Sequence, residues 1–328
     1  MVVALIASLF VACTPSASET ATPSTRATPA QLRDAVARTT YEPLVQELAA
    51  LRTPHSPGWQ AAQDRCAEVL TASGFTVERQ DFGVGINVVG TKLGSGAQPD
   101  AVILGAHYDH IEGCTGADDN ASGVAGVLEA ARLLGAQAWD RDLIIACWDQ
   151  EELGLLGSDA WVTAHRAQAV AAYLNFDMIG VASDEPGSQV VPAALEAIAV
   201  DQVAVVHADG DRANFIALIA DREGSSDTVA TFGAHADAIG LLHLDLTLDH
   251  LARSSSLTGD LRRSDHASFW AADKPAIFFT DTANFRYDGY HCYGAPDEVS
   301  RLNLDFAVQV VAATVGTAAE LLGEPAAR

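Results

Sequence analysis

Apolar positions along this chain change their period from segment to segment, and each period predicts an element. Gln31 to Leu51 carries apolar residues at helical spacing (Leu32, Ala35, Val36, then Leu44, Val45, Leu48), with Pro43 marking a break or a new start. A second helix is predicted from about Gly58 to Ser73, and Thr76 to Gln80 and Ile86 to Lys92 read as paired strands joined by turn residues. Ala101 to Ala106 is a continuous apolar run that ends in His-Tyr-Asp-His, the pattern of a strand buried on both faces with a polar carboxyl end. Residues 122 to 134 then predict a helix, Asp142 to Trp148 a buried strand, Ser158 to Gln168 a helix and Ala171 to Phe176 a strand. From Val181 to about Ser226 the pattern loosens, with Gln202 to His207 reading as a strand and Asn214 to Ala220 as a helix. Thr228 to Gly240, Leu244 to Leu248, Ala276 to Thr280 and a long helix from Leu302 to Leu322 complete the series, and no internal repeat is visible. Strand and helix alternate, so the fold class is α/β with a largely parallel sheet.

Composition agrees with a packed domain: 49% of the 328 residues are hydrophobic and 19% charged, which excludes disorder as the main state. The formal charge of −24 excludes nucleic acid as a partner, because the summed field repels phosphate. No Pro/Gly/Ser-rich linker interrupts the chain after about residue 30, so residues 31–328 are read as one domain.

Val2 to Ala12 is a short apolar run that fits a secretory h-region and is too short to span a membrane. Residues 1–13 are therefore expected to be an export signal, although no Lys or Arg precedes the run. Phe10-Val11-Ala12-Cys13 is similar to a bacterial lipobox, and two readings stay open for Cys13: a lipid-bearing anchor, or a residue removed with the signal. Residues 14–30 are mostly Ser, Thr, Pro and Ala, with almost no apolar bulk, and are expected to be a tether. Export makes the compartment extracytoplasmic and permits disulfides. Cys147 lies in an apolar run and reads as a buried thiol, while Cys66 lies on a helix with no evident partner.

In open parallel sheets, ligands collect beyond the carboxyl ends of the strands. Three predicted strands end in polar clusters: His107-Tyr108-Asp109-His110, Asp149-Gln150-Glu151-Glu152 and Asn175-Phe176-Asp177. Any one cluster is unremarkable, since acidic residues at strand ends are usually solvated. Together with Gly116-Ala117-Asp118-Asp119-Asn120-Ala121-Ser122-Gly123, which leads into a helix, and with Tyr290-His291, they supply the mixture of imidazole and carboxylate that zinc prefers.

These motifs (AHYDH, GADDNASGVAGVLEAAR, WDQEELGLLGS, LNFDMIG, SDHASF and YHC) resemble those of metallopeptidase family 28, which includes bacterial zinc leucyl aminopeptidases and glutamate carboxypeptidases. They stand in family order from about residue 80 to the C-terminus. The resemblance implies the zinc exopeptidase fold, a three-layer α/β/α sandwich around a mixed, mostly parallel twisted sheet. It implies two zinc ions, with His107 and Asp177 on the first, Glu152 and His291 on the second, and Asp119 bridging both. Asp109 would orient His107, Glu151 would be the general base for the attacking water, and Tyr290 would stabilise the oxyanion. Asp118, Asn120, Gly116, Ser122 and Gly123 would shape the turn around Asp119. His266 is expected in a supporting role, and His110, His207, His235, His243 and His250 match no motif position. Cys114 and Cys292 each fall close to an implied ligand, so the two are expected to pair.

Two departures bear on the expectation. The acidic residue usually found four positions after the YH motif is displaced to Asp297, which leaves the partner of His291 open. The stretch from Val181 to Ser226, which in this family often shapes the substrate pocket, carries no legible motif. The implied function is an exopeptidase, foremost an aminopeptidase acting on peptides. The alternatives are a single-zinc glutaminyl cyclase, a carboxypeptidase for acidic peptides that would need arginines such as Arg262, Arg263 or Arg286, and a metal-free binding module.

Overall fold

The computed structural model describes residues 26–96 and 98–325. The expected export signal, Cys13 and residues 14–25 lie outside the described residues. Residues 26–30, expected to end the tether, lie against the domain instead. The Thr28 hydroxyl accepts from Gln31 N at 3.2 Å while the Gln31 side chain accepts from Thr28 N at 2.8 Å. This reciprocal cap, with Pro29 at the first position, starts helix α1 (Pro29–Asp34). Arg26 lies 4.1 Å over the Trp139 ring and donates to Gly323 O. The next helix, α2 (Arg38–Leu48), contains Pro43 on its exposed side, so the break expected at Pro43 falls at 35–37. Helix α3 (Pro57–Ala72) follows a Ser56 cap.

The strands are β1 (Thr76–Asp81), β2 (Ile86–Lys92), β3 (Ala101–His107), β4 (Asp142–Trp148), β5 (Val170–Phe176), β6 (Ile216–Asp221), β7 (His243–Leu248) and β8 (Ala276–Thr280). They form one sheet in the order β1-β2-β4-β3-β5-β8-β6-β7. The central four, β4, β3, β5 and β8, run parallel, whereas β2 joins β4 and β6 joins β8 antiparallel. The carboxyl ends of the four parallel strands therefore open along one edge.

Between the strands lie α4 (Gly123–Gly135), α5 (Leu156–Ala164), α6 (Ala193–Ile198), α7 (Val200–Ala208), α8 (Arg222–Asp237), α9 (His250–Ser254), α10 (His266–Ala271) and, last, α11 (Leu304–Leu322). The strands' two-residue period divides the core into two layers. Val102, Leu104 and Ala106 of β3 face Val124, Leu128 and Val311 of α4 and α11, while Ala101 and Ile103 belong with Trp161 and Phe269 of α5 and α10. The expected three-layer α/β/α sandwich with a mixed, mostly parallel sheet is what the chain forms. Helix α11 is apolar and long enough to cross a bilayer, but it is buried against α1, α4 and α8.

Two sequence expectations are corrected. Gln202 to His207 is helix, within α7, and Asn214 to Ala220 is largely strand, as β6. Val203 and Val206, three positions apart, are the buried pair of α7, which is a helical spacing hidden among four valines. The IALIAD run of β6 is threaded between β7 and β8, and a strand buried on both faces has no alternation to announce it. Cys147 is also not a free thiol. It is bonded to Cys66, with the Cα atoms 6.6 Å apart, because β4 turns Leu143, Ile145 and Cys147 to the side on which α3 buries Trp59, Ala62, Gln63, Cys66 and Leu70. The expected pair of Cys114 and Cys292 is bonded, with Cα atoms 5.7 Å apart.

Candidate active site

His107 is the last residue of β3, and Asp177 is the first after β5, its neighbour in the sheet. Strand pairing alone therefore brings them to one place. The His107 Nε2 atom lies 3.5 Å from Asp177 Oδ1 and 3.3 Å from Asp119 Oδ1. Asp119 reaches this point from the irregular turn 117–122 at the head of α4. That turn is anchored by Asp297, whose carboxylate accepts from the backbone N–H of Asp118 (2.9 Å) and Asp119 (3.0 Å). Asn120 donates to Phe176 O at 2.8 Å, tying the turn to β5. Gly116 opens the turn at φ +57°, and a Cβ there would meet Asp119 O at 2.1 Å, so no other residue fits without moving the turn.

The second oxygen of Asp119 faces a different partner: Oδ2 lies 3.3 Å from His291 Nε2, which in turn lies 3.1 Å from Glu152 Oε2. One carboxylate thus presents one oxygen to each of two donor groups. The donor atoms of His107, Asp119 and Asp177 lie within 4.8 Å of one another, as do those of His110, Asp119 and Glu152. Among the described residues, Asp109, Asp119, Glu152 and Asp177 form ion pairs only with imidazoles, and none of them or Glu151 pairs with lysine or arginine. Buried carboxylates in such excess require cations. The mixed N/O set fits zinc.

Asp109 is fully buried beneath these groups and ties them together. Its carboxylate accepts from the backbone N–H of Glu151 at 3.1 Å and of Glu152 at 3.3 Å, and stands 3.5 Å from His107 Nδ1, whose nearer contact is the Asp109 carbonyl at 3.2 Å. Glu151, 9% exposed, has its carboxyl pushed well above the ordinary range by burial and then by the charges of Asp177, Asp265 and Glu152, against the pull of His107. Burial opposes ionisation of Asp119, yet His107 and His291 outweigh it and hold this carboxyl well below the usual range. The Tyr290 ring stacks on His291 with centroids 3.9 Å apart, and its hydroxyl accepts from Arg263 Nη2 at 2.9 Å. Burial raises the phenol's pKa, so it keeps its proton.

A cavity of ≈140 Å³ opens beside Asp177 and Tyr290. It lies over the β8-β6-β7 half of the sheet, covered by α6 and α7, and its walls include Val203, Val206, Ile219, Leu246 and Phe278.

The sequence profile of peptidase family M28 matches residues 87–228. The Escherichia coli (strain K12) protein YfbL is 33% identical over 260 residues, which are 74% of this chain and 75% of YfbL. The chain belongs to peptidase family M28. A second relative is the probable lipoprotein aminopeptidase LpqL of Mycobacterium tuberculosis, 40% identical over 34% of this chain. The match spans only 23% of LpqL itself. The crystal structure of the LapA aminopeptidase of Legionella pneumophila superposes with a TM-score of 0.69 at 18% identity, over 90% of this chain and 75% of LapA, and shows a shared fold.

Not every residue named from the sequence gathers at this M28 site. His266 is buried away from the donors, stacked on Phe278 with Nε2 donating to Leu261 O at 2.9 Å. Asp297, the displaced acidic residue, serves the Asp119 turn, accepting from the backbone N–H of Asp118 and Asp119. Arg286 is buried and donates to the carbonyls of Val181, Ala213 and Phe215, and Arg262 donates to Ser255 O, so of the three arginines only Arg263 lines the cavity. Two residues escaped sequence reasoning. His110 lies 2.9 Å from Glu152, whereas His207, His235, His243 and His250, with which it was grouped, make their contacts outside the donor groups. Arg52, 1% exposed, donates to Tyr108 O, Thr115 O and Gly116 O and so staples the two loops that carry the donors. No motif marks it.

Proposed function

We propose that this M28 peptidase is an extracytoplasmic dizinc aminopeptidase that removes large apolar residues from the N-termini of peptides. The observation that carries the reading is the division of Asp119, one oxygen toward His107 and the other toward His291. His107, Asp177 and Asp119 would hold one ion, and Asp119, Glu152 and His291 the other. Zinc there would polarise the scissile carbonyl and bring the pKa of a water close to neutrality. Glu151 takes the proton of the attacking water and delivers it to the leaving amine as the C–N bond breaks, a role that its burial beside the donor groups suits. Arg263 occupies the Tyr290 oxygen as a donor, which leaves the phenolic hydrogen free to meet the oxyanion. The apolar cavity beside Asp177 approaches the volume, roughly 150 Å³, at which a protein cavity admits benzene, so it suits a leucine or phenylalanine side chain.

Two disulfides agree with export to an oxidising compartment, and Cys13 would add a membrane anchor where it is acylated. A single-zinc cyclase has no use for the second donor group. The test is zinc per chain by elemental mass spectrometry on protein purified without chelator, alongside a panel of aminoacyl anilides. Two zinc ions and a preference for leucyl or phenylalanyl over alanyl anilide are expected. One ion, or no anilide hydrolysis with both ions present, overturns the reading.

A further inference from the structure

His110 stands three residues after His107, and its imidazole is 1% exposed. The ring is fixed on three sides. Its backbone N–H donates to Arg52 O at 3.2 Å, and it lies edge-on to His291 with centroids 6.0 Å apart. It also fills the space over Gly116, where a Cβ would come within 2.7 Å of Cδ2. Only one of its nitrogens has a partner: Nδ1 lies 2.9 Å from Glu152 Oε1, while Nε2 is buried with no hydrogen-bond partner among the described residues. A carboxylate oxygen can only accept, so this contact puts the hydrogen on Nδ1. The other oxygen, Glu152 Oε2, faces His291 Nε2 at 3.1 Å. The two oxygens of Glu152 are thus divided between two imidazoles. Burying an imidazole with one nitrogen unpartnered costs free energy that an apolar residue in the same space would avoid, so packing alone does not account for His110.

We propose that His110 is a positioning residue for the second cation. Its Nδ1–H holds Oε1 of Glu152, which fixes the carboxylate and leaves Oε2 to serve the cation with Asp119 and His291. Outer partners of this kind set the orientation and strength of a metal ligand, and losing one typically weakens metal affinity about 10–100-fold. The inference rests on the two-cation reading above.

The test compares His110→Ala and His110→Asn with the unaltered protein, each titrated with zinc against a chelating dye, with zinc per chain counted separately. The side-chain nitrogen of asparagine sits at the same distance along the side chain as Nδ1, so it restores the donor without an imidazole. Expected are two ions in the unaltered protein, and in His110→Ala an unchanged first ion with the second bound about 10–100-fold more weakly. In His110→Asn the second ion should bind within about threefold of the unaltered protein, a rescue that requires only the hydrogen bond. Unchanged zinc affinity in His110→Ala overturns the proposal. So does an asparagine variant as weak as the alanine variant, which would make the imidazole itself a ligand. If His110→Ala does not fold, His110→Gln, whose amide lies one carbon further out, replaces it with the same expectation. Fewer than two ions in the unaltered protein is a failure of the two-cation reading, recognisable without any variant.

Discussion

The two donor groups of the site are held in place by different means. His107 and Asp177 sit at the ends of β3 and β5, so sheet hydrogen bonds fix both backbones, and any error would require the sheet itself to shift. Glu152 and His291 lie on turns. Glu152 follows a tight bend with Gln150 at φ 56°, and His291 and Cys292 sit consecutively in the left-handed region at φ 54° and 56°. Non-glycine residues resist that conformation, and the surroundings must impose it. Here the restraint on Glu152 is the Asp109 carboxylate, and on His291 it is the bond from Cys292 to Cys114, five residues before Asp119, which the two groups share. One group is therefore rigid by topology, and the other depends on cross-links.

Cutting the shared member tests whether there are two groups at all. Asp119→Ala is expected to abolish turnover and lower zinc content at both, measured as metal per chain. Glu151→Gln should leave both groups loaded while the rate on an aminoacyl anilide falls about 10²–10⁴-fold. A loss of zinc instead would mean that Glu151 is a ligand. Cys292→Ser separates the groups: it should cost about 2–4 kcal/mol of stability in urea unfolding and weaken only the more weakly bound ion. Equal weakening of both ions would contradict the contrast drawn above.

The last effect concerns His266, close in sequence to the pocket residues but outside both groups. Burial lowers its pKa from 6.5 to about 3. The unfolded chain therefore takes up a proton near pH 6.5 that the folded chain refuses, so this group's contribution to stability is complete above pH 6.5 and is lost as pH falls toward 3. In His266→Leu that loss is absent. The stability of the unaltered protein relative to the variant should drop by about 3 kcal/mol between pH 7 and pH 4, read from urea midpoints, with zinc affinity the same in both.

The rigid group was also the legible one. Uninterrupted apolar runs end abruptly in His107, Trp148 and Phe176, and a buried parallel strand leaves that signature in the sequence. In the looser group, Glu152 stood in a strand-end cluster and His291 was noticed beside Tyr290, but the division of ligands between the two groups was read only through the resemblance. The contacts that support the looser group join residues far apart: Asp297 with the Asp119 turn, Arg52 with the loops after β3, and His110 with Glu152. No local period encodes such contacts. The same holds for Cys66 and Cys147, 81 residues apart, each of which matches the apolar pattern of its own element. The α7–β6 inversion has another cause, since valine-rich and alanine-rich propensities opposed the structure and tertiary packing overrode them.

The apolar cavity has a different origin from the chemistry beside it. Its cover, α6 (Ala193–Ile198) and α7 (Val200–Ala208), holds none of the donor residues. If the cavity takes the N-terminal side chain as proposed, most of its walls and the donor residues are written in separate stretches of sequence. Replacing the valines of α7 can enlarge or narrow the range of accepted N-terminal residues without disturbing a single ligand, which makes this pair of helices the natural place for a lineage, or a designer, to redirect the enzyme.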